Sequence, residues 1–288
     1  MTERQTNRLL GYPEDARLLI INADDFGMCH SVCEAILTTL KDGIVSSTTV
    51  MAPCPWAHHA MHMLKENPDI AFGVHLTLVS DFANYRWGPM SSRGDVPSLT
   101  NEAGYFYNYD RIPELLARAD LAEVELEFRA QIEAVLAEGL KPTHLDWHCL
   151  ADGGRPGISE LSHALALEYG LAMRTHNRPF AGQCQGLGLP TSDHDVLDSY
   201  HMGSPSGKSA QFARLLRALP AGLTEWAVHP SLGNEESRAL EPENWQIRRA
   251  DYDCMRLPEM RNLLAEEGIV LINYEPLQKL WAQKQVGS

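Results

Sequence analysis

The feature that most constrains this chain is the alternation, sustained almost from end to end, of short apolar runs with segments of helical period. Arg17 to Asn22 (RLLIIN) is an apolar run ending in a polar residue and reads as a buried strand. His30 to Lys41 follows with apolar residues at Val32, Ala35, Ile36 and Leu40, a helical spacing closed by Gly43. Ser46 to Met51 (SSTTVM), rich in β-branched residues, reads as a second strand. Pro55 opens a helix running to about Glu66, and Ile70 to Leu78 is a third strand. This rhythm predicts a parallel sheet with helical crossovers.

The rhythm resumes after an interruption. A long amphipathic helix is expected over Leu121 to Gly139, then a strand at Thr143 to His148, a helix at about Ser159 to Tyr169 and a strand at Leu171 to Arg174. Next come a helix near Ala210 to Ala218, a strand at Leu223 to Val228, a helix at Pro258 to Glu267, a strand at Ile269 to Asn273 and a last helix after Pro276. No early G-x-G-x-x-G follows the first strand, which weakens a dinucleotide-binding reading. About seven strand-helix units without a linker fit an α/β fold of the distorted (β/α) TIM-like barrel type, with residues 1–288 forming one domain. The interruption, at about residues 80–111, carries Gly88, Pro89, Gly94, Pro97 and Gly104 among many aromatics. Long irregular segments inside a domain are usually functional, and this aromatic content argues against disorder. Tyr85 and Trp87 are candidates for a substrate-binding platform; the alternative is that these aromatics pack the segment onto the barrel.

Charge narrows the partners. Lys and Arg total 24 against 38 for Asp and Glu, a net charge of -14, which is a poor match to phosphate backbones, so no nucleic-acid partner is expected. Met1 to Leu10 is polar, without the apolar run of a signal peptide, and no apolar stretch approaches the roughly 20 residues that cross a bilayer. The six cysteines are scattered without a CxxC pair. Cys29 and Cys33 would share a helix face, as half a zinc site or as reduced packing residues. A cytoplasmic protein without membrane partners, and with a homo-oligomer left open, is the expectation.

Three clusters carry chemistry. Asn22-Ala23-Asp24-Asp25-Phe26-Gly27 directly follows the first strand, where barrel enzymes build active sites. Adjacent carboxylates repel, so a fold that holds both usually has a cation beside them; alternatively Asp24 caps the next helix and Asp25 is solvated. Gly73-Val74-His75-Leu76 places a histidine in an apolar strand, either a ligand or a hydrogen-bonded core residue. In His144-Leu145-Asp146-Trp147-His148, alternation along a strand points His144, Asp146 and His148 to one face. Three polar groups on one strand face are hard to satisfy in an apolar core. A metal satisfies them together, with a carboxylate orienting a histidine from behind; a hydrogen-bond ladder is the other possibility. His229 ends a later strand, whereas His58, His59, His62, His163, His176, His194 and His201 fall on expected helices or loops and read as surface or structural. Together the clusters offer one carboxylate and two imidazoles with an open position, the pattern of a catalytic metal site. Such mixed donors suit one divalent metal ion, zinc or magnesium foremost, without fixing which.

In order along the chain, LLIINADDFG, GIVSSTTVM, FGVHLTL and KPTHLDWH resemble the motifs of the YdjC-like carbohydrate deacetylase family, which includes chitooligosaccharide deacetylases. The likeness is detailed over Arg17 to Leu78 and Lys141 to His148. It implies a distorted (β/α) barrel, a metal held by Asp25, His75 and His148, Asp24 as general base and His229 as general acid. His144 and Asp146 would stand behind the ligands. The implied activity is hydrolysis of the N-acetyl group of an acetylated amino sugar or oligosaccharide, a small-molecule carbohydrate substrate. Relatives often continue the third motif with further histidines, and often carry a small serine where Trp147 stands. Here Cys149-Leu150-Ala151 follows, a departure at the rim that bears on the substrate. Rival readings are a metal-dependent hydrolase of another amide or ester, and a non-catalytic sugar-binding barrel. A phosphoesterase should show more cations near the metal than Arg86, Arg93 and Arg155.

Overall fold

The computed structural model describes residues 5–202 and 204–285; the first four residues of the segment read above for a leader lie outside them. Its strands are β1 (Arg17–Phe26), β2 (Ser47–Val50), β3 (Phe72–Leu76), β4 (His144–Trp147), β5 (Ala172–Met173), β6 (Leu197–Asp198), β7 (Gly222–Val228) and β8 (Ile269–Leu271). Every pairing between them is parallel, in the order β5-β4-β3-β2-β1-β7-β6, with β8 laid against the first residues of β1. Among the described residues β5 and β6 do not pair, so the sheet curls into a half-barrel open on that side. This is the expected distorted (β/α) barrel. No helix of the described residues is long and apolar enough to cross a membrane.

β1 is the axis of the sheet. It pairs with β7 along Arg17 to Ala23 and with β2 beyond, and nine of its ten residues are buried, as expected of a central parallel strand. It also runs further than its apolar residues suggested. Asp24 and Asp25 lie inside the strand rather than after it, and the register against β2 shifts between Ala23 and Phe26. Asp25 takes φ +77 there, an uncommon conformation for a residue with a side chain. The irregularity turns successive carboxylates in different directions, which a regular strand would also do, but it lets Asp25 reach across the sheet.

The helix Leu121–Ala137 begins where the Asp120 side chain accepts the Ala122 N–H at 2.8 Å, and buries Val124, Phe128, Ile132 and Val135 at helical spacing. Its Glu127 is also buried, and its carboxylate accepts the backbone N–H groups of Met90 at 3.0 Å and Ser91 at 2.9 Å. That fastens the irregular 80–111 segment to the barrel. Within the segment Trp87, Val96, Leu99, Phe106 and Tyr107 are buried, and Val79 bridges Tyr107. Cys29 and Cys33 are buried and free at the start of the helix His30–Asp42. Helices at Arg178–Gly186, Glu235–Leu240 and Trp245–Met255, and the two-residue β6, have no counterpart in the sequence reading.

Candidate active site

Parallel strands deliver all their C-terminal ends to one rim, and the polar residues converge there. Asp25, His75 and His148, from β1, β3 and the residue after β4, place one donor atom each within 4.8 Å of one another. All three side chains are at most 4% exposed. The hydrogen-bonding logic is what gives the trio its character. His75 Nδ1 is 2.7 Å from Asp146 Oδ1, which directs Nε2 at Asp25 Oδ1, 3.4 Å away. His148 Nε2 is 2.6 Å from Asp81 Oδ1, which directs Nδ1 at the same Asp25 oxygen, 3.1 Å away. Each imidazole is thus held from behind by a carboxylate and presents its other nitrogen to a shared point, the arrangement by which proteins orient metal-binding histidines. Arg248 donates to the second Asp25 oxygen at 2.7 Å, leaving Oδ1 to face the histidines. The donor set fits a divalent cation: one carboxylate oxygen and two imidazole nitrogens, buried and converging.

The protonation states agree. Burial alone would lower the pKa of His75, but Asp146 and Asp25 override it and raise it to about 9. Burial works upward on Asp25, yet Arg248 and the two histidines hold its carboxyl well below the usual range. Carboxylates gathered this closely favour positive charge at the point they share.

Asp24 faces a different partner. Its two oxygens accept a bidentate pair of hydrogen bonds from Arg174, at 2.7 and 2.8 Å, and Asn22 donates to Oδ1 at 2.8 Å. Burial pushes this carboxyl up, and Arg174 more than reverses it, so Asp24 is ionised throughout the neutral range. Arg174 also donates to Glu225 at 2.7 Å and lies 3.0 Å from Asp146, so one guanidinium joins Asp24 to the carboxylate behind His75. His229, after β7, brings Nε2 to 3.9 Å from Asp24 Oδ2. It is the more open side of the site: His229 is 14% exposed and Asp198 beside it 45%.

The remaining expected residues separate. Asp146 stands behind His75 and also accepts from Thr49 at 3.1 Å. His144, two residues nearer the start of β4, bonds Thr143 at 2.9 Å and stacks on Tyr274 with ring centroids 3.6 Å apart. Its Nε2 has no partner among the described residues, and burial depresses its pKa to about 3. Trp87 is buried, donating Nε1–H to the Val79 carbonyl at 2.8 Å with its ring 6.2 Å from that of His148. Tyr85 donates its hydroxyl to the Met28 carbonyl at 2.7 Å. Both are therefore engaged in packing the irregular segment against the site. Arg86, Arg93 and Arg155 are likewise occupied, by Ser80 and Phe106, by the Tyr105 ring and by the Ala119 carbonyl.

Sequence reasoning missed Asp81, Arg174, Arg248 and Thr49. Arg174 ends an expected strand, so the strand-end rule applied to His229 would have found it. Thr49 and Ser47 belong to the β-branched run whose hydroxyls serve the interior: Ser47 donates to Asn22 at 2.6 Å and Thr49 contacts His75 at 3.3 Å. Arg248 sits on a late helix with no pattern to mark it. Cys149 adopts φ +58 and brings Sγ to 3.3 Å from His148 Nε2, at the rim position where the sequence was expected to depart from the family motif.

The model of the family described as YdjC-like protein matches residues 18–266. A carbohydrate deacetylase of Geobacillus stearothermophilus is 32% identical over 92% of this chain and 99% of its own length. A carbohydrate deacetylase of Enterococcus faecalis is 30% identical over 90% of this chain and 97% of its own. Among solved structures, a protein of Enterococcus faecalis V583, to which cellobiose-phosphate cleavage was provisionally ascribed, superposes with a TM-score of 0.78 at 29% identity. That match covers 91% of this chain and 99% of the other.

Proposed function

The chain belongs to the YdjC-like family, and we propose that it is a carbohydrate deacetylase that hydrolyses the N-acetyl group of an acetylated amino sugar or oligosaccharide, releasing acetate and a free amine. The observation that carries this reading is the convergence of His75 Nε2 and His148 Nδ1 on Asp25 Oδ1, beside the Asp24–His229 pair. Asp25, His75 and His148 would hold one divalent ion, zinc or magnesium. Its contribution, when bound, is to polarise the acetyl carbonyl and acidify the attacking water.

The chain's own groups handle the protons. Asp24, ionised and fixed by Arg174, accepts the proton released as water adds to the carbonyl carbon. Arg174 makes it a weak base, which suits a water already acidified at that point. As the C–N bond breaks, its electron pair goes to the amine nitrogen, and His229 Nε2 supplies the proton that makes the amine a leaving group. The 14% exposure of His229 supports having this step on the more open side, from which a sugar would enter.

A phosphoesterase reading draws on Arg174 and Arg248, two cations near the site. Both are already neutralised, Arg174 by Asp24, Asp146 and Glu225, Arg248 by Asp25 and Glu241, so neither is free for a phosphate. Residues 1–288 as one barrel domain, with 80–111 as an insertion, and a cytoplasmic setting that keeps the six cysteines reduced belong to the same reading.

The test is acetate release from a panel of N-acetylated mono- and oligosaccharides, by protein stripped of metal and then reloaded. Release that follows reloading is expected. No release from any sugar, with metal demonstrably bound, would overturn the assignment.

A further inference from the structure

Behind His229, on the side away from Asp24, lies a buried polar chain that the reaction as written does not use. His229 Nδ1 is 3.4 Å from Ser199 Oγ, and Ser199 Oγ donates to Asp251 Oδ2 at 2.5 Å. Asp251 Oδ2 also accepts the backbone N–H of His229 at 2.9 Å. Lys208 Nζ stands 2.6 Å from Asp251 Oδ1, off the hydrogen-bond axis, and donates to the Ile247 carbonyl at 3.0 Å. Ser199, Asp251 and Lys208 are each at most 1% exposed. They come from three separated parts of the chain: the residue after β6, the helix Trp245–Met255 and the first residue of the helix Lys208–Arg217. A buried Lys–Asp pair offers little net stability over apolar packing, so its placement calls for another explanation.

We infer that Ser199, held by the Asp251–Lys208 pair, is a positioning residue that fixes the tautomer and orientation of His229 for proton delivery to the departing amine. A hydroxyl has one proton to donate. Ser199 gives its proton to Asp251, whose carboxylate, paired with Lys208, accepts it. Toward His229 the serine oxygen must therefore accept, so Nδ1 carries a hydrogen in both the charged and the neutral ring. Proton exchange is then confined to Nε2, the nitrogen that faces Asp24. The backbone bond from His229 to the same Asp251 oxygen fixes the point from which the ring projects, and the Ser199 contact at Nδ1 bears on its rotation. Asp198, with Oδ1 3.8 Å from Nδ1, is the half-exposed alternative partner, and the Tyr200 ring borders the imidazole at 5.6 Å. Neither is buried as Ser199 is.

This inference rests on His229 acting as the acid, and a double-mutant cycle separates the two claims. Deacetylation by His229→Ala, Ser199→Ala, Ser199→Thr and the His229→Ala/Ser199→Ala double variant is measured on the metal-loaded enzyme, as kcat and KM. His229→Ala is expected to lose about a hundredfold or more in kcat. Ser199→Ala should lose about ten- to hundredfold in kcat, the scale of one hydrogen bond to a charged group, with KM little changed. Ser199→Thr, which keeps the hydroxyl, should recover most of the rate, and the double variant should be no slower than His229→Ala alone. If Ser199→Ala costs nothing while His229→Ala costs the rate, the positioning role is wrong and the acid assignment stands. If the Ser199 loss persists undiminished in the His229→Ala background, Ser199 acts on the fold at large and the inference fails. If His229→Ala itself keeps full kcat, the acid assignment falls, and the inference with it.

Discussion

Replacing Arg174 with Met should expose how much of this interior is held by one cation. Arg174 is 4% exposed and lies within 3.0 Å of Asp24, Asp146 and Glu225, whose side chains are themselves 0–4% exposed. Methionine keeps most of the apolar stem and removes the guanidinium and its charge, leaving three buried carboxylates without it. Breaking a buried ion pair from one side costs about 3–5 kcal/mol, and here three acids lose a shared partner, so a loss toward the upper end is expected near pH 7. Burial, no longer opposed by Arg174, should raise the folded-state pKa of Asp24 above its unfolded value. A carboxyl raised in this way binds more protons folded than unfolded, so its penalty is present at high pH and relieved as pH falls through the folded-state value. Urea unfolding of R174M and of wild type, near pH 7 and near pH 5, should therefore show a stability gap that narrows at the lower pH. Adding Glu225→Gln, which still accepts the Tyr274 hydroxyl, should return part of the loss. A gap under about 1 kcal/mol, or one that does not change with pH, would refute the reasoning.

Gly73→Ala should lower the melting temperature sharply, because its Cβ would stand 2.4 Å from the His144 carbonyl oxygen and part the β3–β4 ladder that aligns His75 with Asp146. Overpacking of this kind costs about 1–3 kcal/mol or more, and an unchanged melting temperature would contradict the packing described here. His144, with a folded-state pKa of about 3 against 6.5, should make the metal-free protein lose stability as pH falls through that interval, since the unfolded chain takes up the proton first. His144→Phe, which keeps a ring on Tyr274 and removes the unpartnered Nε2, should flatten that slope in urea titrations; an equally steep slope would place its origin elsewhere.

How much of this was legible beforehand depended on whether a residue's role was local. β1, β2, β3 and β4 announced themselves through apolar or β-branched runs, and Asp24, Asp25, His75 and His148 stood out as polar residues at or near their ends. β6, with two half-buried residues, has too little pattern to announce anything, and the helices Arg178–Gly186, Glu235–Leu240 and Trp245–Met255 went unread, whereas Lys208–Arg217 and Pro258–Glu266 were expected from their spacing. Alternation along β4 brought Asp146 behind His75. The same alternation could not tell that His144 would stack on Tyr274, because that ring arrives from residues more than a hundred positions later. Arg248 and Asp251 serve Asp25 and Ser199 from one late helix, and no local rule connects them to residues that distant. The irregular segment was expected as a functional loop. It contributes Asp81, at its very start, to His148, while Trp87, Phe106 and Tyr107 are buried in packing and Tyr105 and Tyr109 stay exposed.

Deacetylation is proposed to depend on one divalent ion held by Asp25, His75 and His148. Bound-metal stoichiometry measured alongside acetate release, in wild type and in His148→Ala, tests it most directly. One ion per chain is expected in the wild type, with loss of both ion and activity in the variant. A variant that keeps its metal and deacetylates at the wild-type rate would contradict it.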